Sequence, residues 1–111
     1  MARTIVLSTC GTYREARKIA RDLVQRRLAA CVNVVNVNSF YRWKRRVVNE
    51  REWLLIMKTN SEVFSRLRRR ILSLHSYELP ELISLKIQGG SVPYLKWFDS
   101  ELIGSRQRNK D

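Results

Sequence analysis

The densest group of chemically capable side chains falls between residues 75 and 81, where His75, Tyr77, Glu78 and Glu81 cluster around Pro80. A neutral imidazole nitrogen suits copper and zinc, and carboxylates three and six residues farther on can complete the shell of a divalent cation. Cys31 would add a soft donor if the fold brings it close. The same residues also admit a purely structural arrangement, in which His75 caps the helix before it and Glu78 and Glu81 pair with arginines. Catalytic chemistry is poorly served. The chain has one histidine, neither Cys10 nor Cys31 has a base beside it in sequence, and there is no phosphate loop, dinucleotide fingerprint or paired-cysteine zinc motif. The expectation is a protein that is not an enzyme.

Charge narrows the partners. Twenty-two Lys and Arg against ten Asp and Glu give a formal net charge of +12 over 111 residues. Such a field attracts nucleic acids, anionic metabolites and acidic membranes. The cations are dispersed, however: Arg14, Arg17, Lys18 and Arg21 in one segment, Arg42, Lys44, Arg45 and Arg46 in a second, Arg66, Arg68, Arg69 and Arg70 in a third. Spread in that way they read as solvated faces rather than one binding stripe, and an Arg-rich surface also suits the ion-pair networks of heat-adapted proteins. Tyr41, Trp43 and Trp53, interleaved with Arg42, Lys44 and Arg45, could stack bases, but the ribonucleoprotein pattern of an RNA-binding sheet is missing. Nucleic acid is therefore not the expected partner. No run of about 18 apolar residues exists to span a membrane, no signal-like apolar region opens the chain, and two isolated cysteines make no disulfide framework. A reduced, cytoplasmic protein is expected.

The elements that must position the loop follow from periodicity. Thr4 to Thr9 is a β-branched run that reads as a strand. Thr12 and Glu15 have capping-box spacing, and Ala16, Ile19, Ala20, Leu23, Val24 and Leu28 then recur at helical intervals. From Ala30 to Thr59 the pattern is a long two-stranded ribbon, with apolar residues on both faces of each arm. Its distal half carries Phe40, Tyr41, Trp43 and Trp53, aromatics of the kind that anchor interfaces. A second helix is predicted from Asn60-Ser61 through Leu74, a last strand over Leu82 to Gln88, and a short helix after Ser91 with Pro93 inside its first turn. Two βαβ halves joined by a hairpin make an α+β, ferredoxin-like sandwich, βαββαβ plus a C-terminal helix, occupying residues 1–104 with a polar tail at 105–111. Two helices leave one sheet face bare, and self-association through it is the economical solution.

Leu28-Ala29-Ala30-Cys31-Val32-Asn33, Tyr41-Arg42-Trp43, Met57-Lys58-Thr59, the loop from His75 to Glu81, and Tyr94-Leu95-Lys96-Trp97 occur in that order. Together they closely resemble the CutA family of divalent-cation tolerance proteins, over about Ile5 to Leu102. The resemblance implies a tight homotrimer with ribbons extended onto neighbouring subunits, a link to copper and other divalent cations, and a likeness to the nitrogen-regulatory PII proteins, which bind ligands in inter-subunit clefts. On it rests the expectation of copper(II) or another divalent cation at His75, Glu78, Glu81 and Tyr77, with Cys31 more a core residue than a ligand, and with Phe40, Tyr41, Trp43 and Trp53 at the trimer interface. A PII-like module for anionic small molecules is the first alternative and nucleic-acid binding the second. Three departures bear on this. Ser76 stands where the family loop has proline, and Ser8 where some members have a strand cysteine, with Cys10 two residues on. Arg45 stands where the ribbon tip has glycine, which predicts a turn without the positive φ that glycine permits.

Overall fold

The structure, a computed structural model, describes residues 2–104; the polar tail expected at 105–111 lies outside the described residues. In chain order the elements are β1 (Arg3–Cys10), α1 (Tyr13–Gln25), β2 (Cys31–Trp43), β3 (Arg46–Asn60), α2 (Phe64–Leu74), β4 (Ile83–Lys86) and α3 (Val92–Glu101). The strands form one antiparallel sheet ordered β2-β3-β1-β4, the ferredoxin-like arrangement expected of two interleaved βαβ units. No helix among the described residues is long and apolar enough to cross a membrane.

Register decides which side chains meet the helices. Val6 lies opposite Met57 and Ser8 opposite Leu55, and this set is fully buried with Ala16, Ile19 and Leu23 of α1 and Leu67 and Ile71 of α2. Because side chains alternate across a strand, the intervening residues face the other way. On that face Leu7 lies opposite Ile83 and Ile5 opposite Leu85. Ile83, Leu85 and Val35 are about half exposed there. Asp22 ties the helix layer together, accepting a two-pronged bond from Arg70 at 2.8 and 2.7 Å and a bond from Arg26 at 3.1 Å. These partners, Arg70 first, hold its carboxyl below the usual carboxylate range. At the other end of the sheet Arg3 forks onto Asp99 of α3.

Two element starts differ from the periodicity. Asn60 still belongs to β3, and its side-chain oxygen accepts the Val63 N–H at 2.9 Å, so α2 begins only at Phe64. β4 is shorter than the apolar run because its pairing stops at Lys86 opposite Thr4, with one further bond from the Ile87 N–H to the Arg3 carbonyl.

The ribbon pairs without a break from Cys31 opposite Lys58 to Trp43 opposite Arg46. It gives the molecule a 54 Å long axis against 26 and 20 Å. The radius of gyration, 15.1 Å, exceeds the about 13 Å of a compact chain this long. At the tip Lys44 has φ 50° and Arg45 φ 70°. The expectation of a turn without positive φ is therefore wrong. A two-residue connection between twisted strands demands left-handed conformations whichever side chains occupy it.

Candidate functional site

Three elements meet at the inner end of β1. Thr12 caps α1, its hydroxyl accepting the Glu15 N–H at 3.1 Å, which fixes Glu15 in the first turn. The His75 N–H closes α2 on the Ile71 carbonyl at 2.9 Å. Its fully buried ring then turns back onto β1. Ring Nε2 lies 2.7 Å from the Thr9 carbonyl, and Nδ1 lies 3.1 Å from the Tyr77 amide nitrogen. A carbonyl needs a donor and an amide needs an acceptor, so these contacts select the neutral ring with its proton on Nε2. Around it sit Cys10, with Sγ 3.8 Å from Nε2, and Glu15, with Oε1 4.0 Å from Nδ1. One ligand atom from each of Cys10, Glu15 and His75 falls within 4.8 Å of the other two. Glu15 is itself anchored, accepting from the Ser76 N–H at 3.0 Å and the Ser76 hydroxyl at 3.1 Å. Proline at position 76 would offer neither donor.

Burial pushes the Cys10 thiol up to about 12, helped by the charges of Glu15 and Glu52 and by a hydrogen bond to Glu15. It is a protonated thiol at neutral pH. The donor set otherwise fits a borderline-soft cation such as copper or zinc. A ligating histidine almost always gives its second ring N–H to a carbonyl or carboxylate, as Nε2 does here to Thr9; the lone pair is then on Nδ1, the nitrogen beside Glu15, while the Cys10 sulfur lies on the Nε2 side of the ring. Capturing an ion requires the thiol to lose its proton and Nδ1 to release the Tyr77 amide.

Next to this cluster runs a groove of about 790 Å³ between the ribbon and the loop, lined by Phe40, Trp43, Glu50, Glu52, Glu78 and Glu81 among others. The Tyr77 hydroxyl crosses into it and donates to Glu52 Oε2 at 2.7 Å. Burial, then the bond to Glu52, raises the phenol's pKa. Gly11 makes room for that ring, since a Cβ there would sit 3.2 Å from the Tyr77 oxygen. Glu81 is held above the usual carboxylate range by burial first and by Glu52 second.

The loop residues expected to share an ion are thus divided. His75 belongs to the buried cluster, Tyr77 bridges cluster and groove, and Glu78 and Glu81 line the groove. Cys31 lies on β2 opposite Lys58, half-buried, its Sγ 3.9 Å from Asn33 Oδ1, outside both the cluster and the core. Cys10 and Glu15 are absent from the site set that sequence reasoning gave: Cys10 entered only as a departure two residues beyond Ser8, and Glu15 only as part of a cap. The signal available was their nearness in the chain, five residues apart across a turn. Of the expected interface aromatics, Trp53 packs on Tyr13 of its own chain, ring centroids 5.0 Å apart, whereas Phe40, Tyr41 and Trp43 are exposed.

Comparison with known proteins gives a consistent picture. The family described as CutA1 divalent ion tolerance protein matches residues 4–101. A Thermus thermophilus protein named divalent-cation tolerance protein CutA is 45% identical over 94 residues, covering 84% of this chain and 91% of that one. The solved Thermus thermophilus structure superposes with a TM-score of 0.87 at 42% identity, over 90% of this chain and 98% of the other. A Xenopus laevis CutA homolog is 48% identical over 90 residues, 80% of this chain, which spans 60% of that longer protein. An Archaeoglobus fulgidus structure, titled as a periplasmic divalent cation tolerance protein, superposes with a TM-score of 0.86 at 32% identity, over 89% of this chain and 97% of that one.

Proposed function

The chain belongs to the CutA1 divalent ion tolerance family, and from that premise we propose that it binds copper(II) or a related divalent cation at the inner end of β1. The observation that carries this reading is the convergence of Cys10, Glu15 and His75 within 4.8 Å. A thiolate, a carboxylate and an imidazole together supply the mixed soft and hard donors that copper and zinc accept. Glu78 and Glu81 of the original loop set, with Glu50 and Glu52, give the adjoining groove a negative lining in a chain of net charge +12, a path along which a cation is concentrated. Tyr77 links path and site through its bond to Glu52. The role is capture or sensing of the ion rather than catalysis, in the cytoplasm, where Cys10 and Cys31 stay reduced. The working unit is a homotrimer, supported by the bare apolar face around Ile83 and Leu85 and by the exposed Phe40, Tyr41 and Trp43 on a protruding ribbon.

Calorimetric titration of the full chain with copper(II), and with zinc to avoid thiol oxidation, tests the site. The expected result is one ion per chain, weakened at least about tenfold in Cys10→Ser, with zinc affinity rising from pH 6 to pH 8. The sign follows from the thiol: its proton is held up to about 12 and must leave on binding, so each pH unit below that value lowers apparent affinity by up to about tenfold. Unchanged binding in Cys10→Ser with loss in Glu78→Gln/Glu81→Gln would move the ion to the groove wall and overturn the assignment.

A further inference from the structure

We propose that the outer face of the helix layer binds the phosphate backbone of double-stranded nucleic acid, without reading base sequence. The cations that look dispersed along the chain are gathered by the fold, because α1 and α2 pack side by side on one face of the sheet. Arg14, Arg17, Lys18 and Arg21 occupy positions i, i+3, i+4 and i+7 of α1, a single stripe, and all four are exposed. Across the Asp22–Arg70 bridge the exposed Arg66 and Arg69 of α2 extend the same surface.

Three features make this more than a solvated face. No described carboxylate pairs with Arg14, Arg17, Lys18 or Arg21, so the stripe is not an ion-pair network. The like charges at Arg14/Lys18 and Arg17/Arg21 sit four residues apart, where they weaken a helix. Charge density suits the ligand: seven residues at about 1.5 Å each gather four cations within about 10 Å of helix, beside a duplex that carries one negative charge per about 1.7 Å of its axis. Guanidinium forks suit phosphate oxygens.

Competing surfaces fit less well. A lipid bilayer would need a broad apolar flank beside the cations, but Ala16, Ile19, Leu23, Leu67 and Ile71 are buried in the core, and Tyr13 and Val24, about half exposed beside Arg17 and Arg21, make a narrow one. Single strands are held largely by aromatic stacking, and the aromatic flanking this stripe, Tyr13, already packs on Trp53. The face also lies on the opposite side of the sheet from the bare apolar surface. Self-association through that surface therefore leaves the stripe exposed and multiplies it, raising avidity.

The test is fluorescence anisotropy of the full chain with a labelled 20-base-pair duplex across a salt series, beside a single strand of equal length and vesicles of anionic phospholipid. Four to six phosphate contacts predict a slope of log affinity against log salt of about −4 to −5. Arg17→Gln/Arg21→Gln, both exposed and expected to leave thermal stability equal or slightly raised by relief of their repulsion, should weaken duplex binding at least about tenfold at low salt and reduce the slope by about 2. Arg42→Gln/Arg46→Gln at the ribbon tip removes the same charge and should leave the slope unchanged. Equal losses from the two pairs would reduce the effect to net charge and overturn the proposal. So would a flat salt response, or tighter binding to the single strand or the vesicles than to the duplex.

Discussion

Along β3 the body half, Trp53 to Thr59, buries Leu55, Met57 and Thr59 completely beneath the helices, whereas the distal half repeats the alternation with Val47 69% exposed and Phe40 of the paired strand 70% exposed. Both halves have the same ladder, the same partner strand and similar β-branched and aromatic content. What separates them is cover. Alternation encodes which side chains share a face; it carries no information on whether anything lies against that face. The body half is covered by α1 and α2 of its own chain. The distal half projects past them, and in one copy its apolar residues remain in water, which is the physical reason to look for a second copy there.

Substitution at Leu55 and Phe40 tests this contrast most directly. Leu55→Ala should cost about 2–5 kcal/mol in urea unfolding, because a fully buried leucine leaves a cavity that its neighbours fill only in part. Phe40→Ala should change the stability of the dilute chain by less than about 0.5 kcal/mol, yet shift sedimentation toward smaller species at a given concentration. Equal destabilisation at both sites, with no change in sedimentation, would erase the distinction.

At the boundary between the two halves, Glu52 is buried to 5% exposure and held by the Tyr77 hydroxyl. Tyr77→Phe should cost about 1–3 kcal/mol, the penalty for leaving a buried acceptor without its donor. A loss near zero would mean that water replaces the phenol and that the boundary lies nearer the helices. The smallest effect is expected at the tip. Replacing Lys44-Arg45 by Asn-Gly supplies residues suited to the positive φ observed there and should raise stability by about 1 kcal/mol, measured by thermal unfolding at fixed chain concentration.

Much of the fold was legible because its signals are local. The Thr12 cap, the 3.6-residue stripe from Ala16 to Leu23 and the alternation through the ribbon each need only a few consecutive residues to be recognised. The site was legible in part. His75 and Tyr77 drew attention as a dense polar loop, but their partners Cys10, Glu15 and Glu52 come from β1, α1 and β3, and no spacing within the loop points to them. Arg45 misled for a different reason: residue preference argues against positive φ, yet closure of a two-residue turn imposes it.

By itself the sequence determined the order and type of the elements, the sidedness of each strand and helix, the excess of positive charge, and membership in a recognisable family. These are properties of short windows or of the chain as a whole. Only the tertiary structure decided that Glu78 and Glu81 line a groove while His75 turns inward to Cys10 and Glu15. It also decided that the cations of α1 and α2, far apart in the chain, share one surface, and that Trp53 serves its own chain while Phe40 faces outward. Those outcomes depend on which distant segments the sheet register brings together, and register is a property of paired strands that neither strand carries alone.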